Sequence, residues 1–364
     1  MTGRIGKRVV LVEPNEDLQL WERPVPQPKA DEVLLKVEMG GVCGTDIHFW
    51  KGEVPLPGPI GLGHEGIGRV EELGSAVSTD HAGTTIKQGD RVYWIPVHPC
   101  GRCYYCSVEK DGSRCERVLE TMFLDGNVSV SSGYSEYARI PAGMPFYRIP
   151  DDTPSEAVIA FGCAMPTMLQ GLERLGDISI NQTVVVQGSG PVGLAATMLA
   201  KIRGARDIIV IGAPKKRLEM ALALGAKTII SVDEYDAEAR IAKVQELTEG
   251  RGADVVIEAA GVVPAFAEGI KMTASGGRYL LVGLWSAPGT VEVEPRYLNN
   301  MNLQIIGTSM FQARHIYQAV QVAQQFHRDF PMAEVVTDRF SLSDCQCALE
   351  GVANLKTVKS VIVP

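Results

Sequence analysis

The sequence predicts an α/β protein in two parts: a β-rich N-terminal portion, and a doubly wound parallel sheet inserted before the chain returns to the first part. Three observations carry this. Residues 1–95 read as short strands broken by glycine and proline turns. From Thr183 onward, strands alternate with helical stretches, as in a parallel sheet covered by helices. Thr183-Val-Val-Val-Gln-Gly-Ser-Gly-Pro-Val-Gly193 runs from a strand through a glycine turn into a helix.

A length of 364 residues suits about two domains. With 45% apolar and 21% charged residues, the chain has enough core formers to exclude disorder. The net charge of −8, from 35 basic and 43 acidic residues, argues against nucleic acid or an anionic membrane as partner. The apolar run Val9–Val12 is too short for a signal peptide, and no long apolar segment reads as a membrane span. A cytoplasmic location is therefore expected. Eight cysteines are present, four of them between 100 and 115. In a reducing compartment such clustering reads as metal binding rather than a disulfide framework.

Taken in order, Leu18–Trp21 and Glu32–Val37 read as strands around a turn rich in proline (Pro24, Pro26, Pro28). Gly68–Leu73 alternates, and Gln88-Gly-Asp-Arg-Val leads into another strand. Cys43-Gly-Thr-Asp-Ile-His48 follows the second strand directly. Cys43 offers a thiolate, His64 an imidazole and Glu65 a carboxylate. A third protein ligand would let them hold zinc with one position open to substrate. Thr45 and His48 offer a hydroxyl-to-imidazole path for a proton. Taken alone, Cys43 reads as readily as a buried, inert cysteine. Cys100-x2-Cys103-x2-Cys106-x8-Cys115 is the most specific motif: four thiolates on one short loop match a closed, all-cysteine zinc site.

Ser135–Ile140 reads as a strand, and the pattern turns helical from Pro154. In Phe161-Gly-Cys-Ala-Met-Pro-Thr167, Cys163 reads either as a metal ligand or as a small core residue. Gly188 permits the tight turn, Gly190 a close approach of pyrophosphate, and Gly193 close packing of helix on strand. The helix opening at Pro191 and Val192 offers N–H groups and a positive dipole end to phosphates. Strands are expected at Asp207–Ile211, Val255–Glu258, Arg278–Leu284 and Leu303–Gly307, with helices at Ala237–Thr248 and Ala265–Thr273. Ser343 caps a final helix, Asp344 to Asn354, before a last strand at Val358–Val363. Cys345 and Cys347 point to different faces of that helix and read as structural.

Gly63-His64-Glu65, Gly68, Gly74 and Val77 resemble the signature of zinc-dependent medium-chain alcohol dehydrogenases, and the resemblance spans essentially the whole chain. It implies a GroES-like catalytic domain (1–164) with a structural-zinc lobe (98–117), a Rossmann domain (165–308) and a return to the catalytic domain (309–364). The active site would lie in the cleft between domains. By the same resemblance, Cys43, His64 and Cys163 bind catalytic zinc, Glu65 lies beside the metal and can enter its shell, and Thr45 with His48 relays the proton. Cys100, Cys103, Cys106 and Cys115 hold structural zinc, although the family has seven residues between the last two cysteines and this chain eight. Thr167 lies beside the nicotinamide, Val282-Gly283-Leu284 touches its carboxamide, Arg217 meets the adenosine ribose and Lys359 reaches the pyrophosphate. The acidic position that binds the ribose 2′-OH falls on Gly212, and no carboxylate follows in Ala213–Arg217. NAD and NADP both stand as cofactors.

The implied reaction is reversible oxidation of an alcohol to a ketone or aldehyde, with two zinc ions per subunit and hydride transfer to NAD(P). Trp50, Trp94, Phe123 and Leu284 are candidate pocket walls for an apolar alcohol, cyclic or aromatic. A homodimer or homotetramer is expected, joined through the sheet edge of the inserted domain. Two rival readings are a zinc-independent enone or quinone reductase on the same scaffold, and a non-enzymatic cofactor-binding protein.

Overall fold

A computed structural model describes residues 4–55, 58–96, 99–118, 120, 131–284 and 288–364. Phe123 and the lobe's first position, 98, lie outside them. The strands, in chain order, are β1 (Ile5–Leu11), β2 (Gln19–Pro24), β3 (Val33–Gly41), β4 (Ile60–Gly61), β5 (Gly66–Leu73), β6 (Arg91–Trp94), β7 (Tyr137–Ile140) and β8 (Phe146–Arg148). There follow β9 (Thr183–Gln187), β10 (Asp207–Gly212), β11 (Thr228–Ser231), β12 (Ala253–Glu258), β13 (Thr273–Leu281) and β14 (Gln304–Gly307), then β15 (Val336–Phe340) and β16 (Lys359–Ile362).

The chain forms two compact units, Met1–Pro166 with Phe311–Pro364, and Thr167–Met310. In the first unit, one sheet runs β15-β16-β3-β5-β6-β8, with β7 also paired to β3, and a smaller one runs β2-β1-β4. β3 is long, with Val33, Leu35, Val37 and Met39 buried on one face and Lys36 and Glu38 on the other, and it pairs with β5, β7 and β16. It is thus a hub to which the C-terminal strand returns. One core of this unit gathers Val33, Leu35, Val37, Val70, Val92 and Trp94; another gathers Leu11, Phe49, Leu62, Tyr134, Leu349 and Ile362. The final helix is Cys345–Ala353. Asp344, not Ser343, sits at its N-cap, and the Ser343 hydroxyl instead bonds Ser341 Oγ. Cys345 is buried and Cys347 exposed, as their different helix faces require.

The second unit is a parallel sheet in the order β11-β10-β9-β12-β13-β14. Its central strands are apolar on both faces because helices cover both. The order reverses between β9 and β12, and the carboxyl ends of strands at such a point form a ligand crevice.

Candidate active site

Among the described residues, two groups of donors converge within 4.8 Å: Cys43, His64, Glu65 and Cys163, and Cys100, Cys103, Cys106 and Cys115. Both lie in the first unit.

The first group is assembled from three stretches. Cys43 leaves β3 and sits at the N-cap of the helix Gly44–Trp50. His64 and Glu65 precede β5, and Cys163 lies just before the helix Ala164–Leu175. Cys43 Sγ is 3.4 Å from Cys163 Sγ. That contact holds Cys43 well below the ordinary thiol range, while it and burial push Cys163 well above. Burial opposes charge on His64, but Asp46 and Cys43 outweigh it and raise the imidazole well above its usual value.

Asp46, fully buried, organises this corner. One carboxylate oxygen lies 3.1 Å from His64 Nδ1; the other accepts the Cys43 N–H (3.0 Å) and the Tyr134 hydroxyl (2.7 Å). With Nδ1 engaged, Nε2 is the nitrogen left to ligate a metal. Asp46 is a functional residue that its sequence context does not by itself announce. Its position three residues after Cys43, in a capping-box pattern, is the signal that could have found it.

Glu65 is wedged between backbones. A Cβ added at Gly41 or at Gly162 would run into its carboxylate. One oxygen accepts the Cys163 N–H at 2.8 Å, and the other receives Lys359 Nζ at 2.5 Å. Burial pushes the Glu65 carboxyl up, and the Lys359 ammonium opposes it. This corrects the expectation that Lys359 reaches a pyrophosphate. Its side chain is 1% exposed, and the ammonium is already held by Glu65 and by the Val42 carbonyl at 2.9 Å. The two thiols, one imidazole and one carboxylate fit a zinc ion by number and type.

Thr45 and His48 lie three apart on the helix Gly44–Trp50, hence on one face of it. His48 Nδ1 is 2.5 Å from the Glu53 carboxylate, a partner the sequence reading missed. Two expected pocket walls are occupied otherwise. Trp94 is fully buried in the core and donates its indole N–H to the Ser131 carbonyl. Trp50 packs on the other core and donates to the Glu16 carbonyl.

The second group is a lobe. Gly101 turns with φ +72°, a short helix spans Tyr104–Ser107, and Lys110 (φ +56°) and a 3₁₀ turn at Gly112–Arg114 bring Cys115 back. The Cys100 N–H donates to Cys115 Sγ at 3.2 Å. The Cys106 N–H pulls the Cys103 thiol down to about 6, while burial pushes Cys106 up to about 12. Four sulfurs this close fit a closed zinc site.

In the second unit, Gly188 has φ +111°, and Gly190 is the N-cap of the helix Pro191–Ile202, in whose first turn Val192 and Gly193 lie. A Cβ on Gly193 would strike the Gly188 carbonyl, so helix and turn pack main chain to main chain. One on Gly190 would meet only Arg217 Nη1, at 3.9 Å, so this side stays open for a phosphate. Arg217 is buried in the first turn of the helix Lys215–Ala223, and burial lowers its guanidinium. Gly212 ends β10, and Ser189 Oγ occupies the space of any Cβ there while donating to the Ala213 carbonyl. Thr167 is half-buried in the helix Ala164–Leu175. Val282-Gly283-Leu284 follows β13, its first two amides bonded to the Glu258 carbonyl. This cradle of glycines and helix N–H groups fits a dinucleotide.

A family model described as the alcohol dehydrogenase GroES-like domain matches residues 29–151, and one described as zinc-binding dehydrogenase matches 191–325. The chain is similar to 5-exo-hydroxycamphor dehydrogenase of Pseudomonas putida, 44% identical over 98% of both chains. It is also similar to the solved alcohol dehydrogenase of Thermotoga maritima (TM-score 0.90, 27% identity, 100% of both chains). A zinc-binding dehydrogenase from Sinorhizobium meliloti, bound to NADP, superposes with TM-score 0.84 at 25% identity over 99% of this chain and 100% of that one.

Proposed function

The chain belongs to the zinc-dependent medium-chain alcohol dehydrogenases, and from that premise we propose that it oxidises a cyclic, apolar secondary alcohol to its ketone. It is an oxidoreductase acting on CH–OH, and it takes zinc and a nicotinamide cofactor. The single observation behind the site assignment is the convergence of Cys43, His64, Glu65 and Cys163 on one point. The similarity to a dehydrogenase named for a bicyclic terpene alcohol supports the cyclic substrate.

Zinc would supply a Lewis acid to the alcohol oxygen, and the nicotinamide would take the hydride. The chain's own residues do the rest. Cys43, Cys163 and His64 would hold the metal, and Asp46 fixes the tautomer of His64. Glu65 stands beside the metal as an alternative ligand, restrained by Lys359. Thr45 and His48 carry the alcohol proton outward, His48 oriented by Glu53. Gly188, Gly190 and Gly193 with the helix at Pro191 and Val192 take the pyrophosphate, and Arg217 and Gly212 border the adenosine ribose. Thr167 and Val282-Gly283-Leu284 border the nicotinamide. A second zinc in the lobe brings the content to about two per chain.

With no carboxylate at Gly212 to repel a 2′-phosphate, both NAD and NADP are accepted. The chain forms a homo-oligomer through β14, one of the two edge strands of its sheet, where Gln304, Ile305 and Gly307 are exposed. No described helix is long and apolar enough to cross a membrane.

The test is a screen of cyclic secondary alcohols against straight-chain ones, with NAD and with NADP, alongside metal analysis and sedimentation. Cyclic substrates should be preferred, and the two cofactors should differ by less than about a hundredfold in kcat/KM, or about 2.7 kcal/mol. A preference for short linear alcohols would refute the substrate reading. A monomer in solution would refute the β14 contact.

A further inference from the structure

Glu258 ends β12 and is fully buried. Its carboxylate accepts main-chain hydrogen bonds from two separate loops. Oε1 takes the N–H groups of Ala260 (2.8 Å) and Gly261 (2.7 Å), in the loop leaving β12. Oε2 takes the N–H of Gly283 (3.0 Å), in the loop leaving β13. The 282–284 loop is also tied to the end of β12 through main chain, the Glu258 carbonyl accepting the Val282 (3.0 Å) and Gly283 (3.1 Å) N–H groups; beyond these bonds the 259–261 and 282–284 loops meet backbone to backbone. Gly261 has φ +71°, and a Cβ there would lie 3.0 Å from the Gly283 carbonyl. A Cβ on Gly283 would come within 2.6 Å of the Gly261 nitrogen. The glycine turn joins the same stack, since a Cβ on Gly188 would meet the Ala259 carbonyl at 2.5 Å.

Three loops therefore meet at the carboxyl ends of β9, β12 and β13, with no side chain wide enough to space them. Hydrogen bonds to an ionised carboxylate are about twice as strong as neutral ones. Burial pushes the Glu258 carboxyl up, and the amides of Gly261, Ala260, Gly283 and Leu284 oppose that. In a doubly wound sheet each half receives one mononucleotide. β10 and its helix serve the adenosine half, so the loops after β12 and β13 serve the nicotinamide half.

We infer that Glu258 is a positioning residue that sets the floor for the nicotinamide half of the cofactor by pinning the 259–261 loop to the 282–284 loop. It touches no substrate. It acts through backbone: main-chain bonds already hold the 282–284 loop to the end of β12, and the side chain adds the 259–261 loop to it, leaving the adenosine half alone. The inference rests on the dinucleotide reading of this unit.

The experiment compares binding of whole cofactor (NAD and NADP) with binding of ADP-ribose, by calorimetry, in the unaltered chain and in Glu258→Gln. Glutamine puts an NH₂ group against backbone donors and loses part of the clasp. The expected result is a Kd for whole cofactor raised about ten- to a hundredfold, with ADP-ribose changed less than about threefold. A merely structural role would weaken both ligands alike, and that result, or no change in either, overturns the inference. Should Glu258→Gln fail to fold, Glu258→Asp keeps the charge but reaches only one loop, and the same ratio decides. If the unaltered chain binds neither NAD nor NADP, the dinucleotide reading itself falls, and this inference with it.

Discussion

The two thiolate clusters are made in opposite ways. In the lobe, Cys100 and Cys115 stand 15 positions apart, and between them lie only turns, one four-residue helix and a 3₁₀ turn. Around Cys43, the other sulfur comes from 120 positions away, and the neighbouring Glu65 carboxylate is held by a lysine 294 positions away. A local cluster has little core of its own, so a metal bound there would supply its stability. A cluster drawn from distant segments inherits its geometry from the packed fold, which would leave a metal bound there free for chemistry. The sulfurs themselves are similarly half-buried in both clusters, Cys115 being buried, but the groups around Cys43 (His64, Glu65, Asp46 and Lys359) are all buried, while Cys106 lies in a helix with no buried residue.

Removing one ligand from each cluster should break this symmetry most visibly. Cys106→Ser and Cys163→Ser should each lower zinc content from about two to about one per chain. The lobe variant should lose much stability, because structural zinc carries folding free energy of order 10 kcal/mol in isolated fingers. The Cys163 variant should keep its melting temperature within a few degrees but lose at least about a thousandfold in kcat. Equal destabilisation of both would erase the distinction.

Next in size is Lys359→Met. It leaves the buried Glu65 carboxyl without its counter-charge, and should cost about 3–5 kcal/mol in urea unfolding. A loss below about 1 kcal/mol would mean that the pair behaves like an exposed one. Asp46→Asn should weaken zinc at the Cys43 site about ten- to a hundredfold in chelator competition, leaving the lobe's zinc unchanged. The smallest effect lies outside both clusters. Asp207, held below its ordinary range by Lys227 and Arg206, contributes stability above its unfolded pKa that is lost as pH falls through the folded value. Asp207→Asn should therefore remove at most about 1 kcal/mol, visible only above about pH 4, and flatten the acid limb of the stability curve.

What could be read in the sequence followed the same divide. Cysteine spacing alone disclosed the lobe, because its ligands are neighbours along the chain. Strand, turn and helix around Gly188 were legible because the motif is local. Cys163 needed a family resemblance, since nothing near Phe161-Gly-Cys-Ala announces a partner 120 residues upstream. The ion pair of Lys359 with Glu65 was missed because it depends on β16 pairing with β3, and strand register between distant segments is not written locally. Trp94 was misread as a pocket wall for a similar reason: alternation along β6 does not say which face of the sheet is core.

The pinch on Glu65 by Gly41 and Gly162 limits what this scaffold can become. Even a methyl group at either position would shove an anion against the metal's ligands. Laboratory diversification aimed at new substrates can roam the exposed loops, but these two sites admit hydrogen and nothing larger.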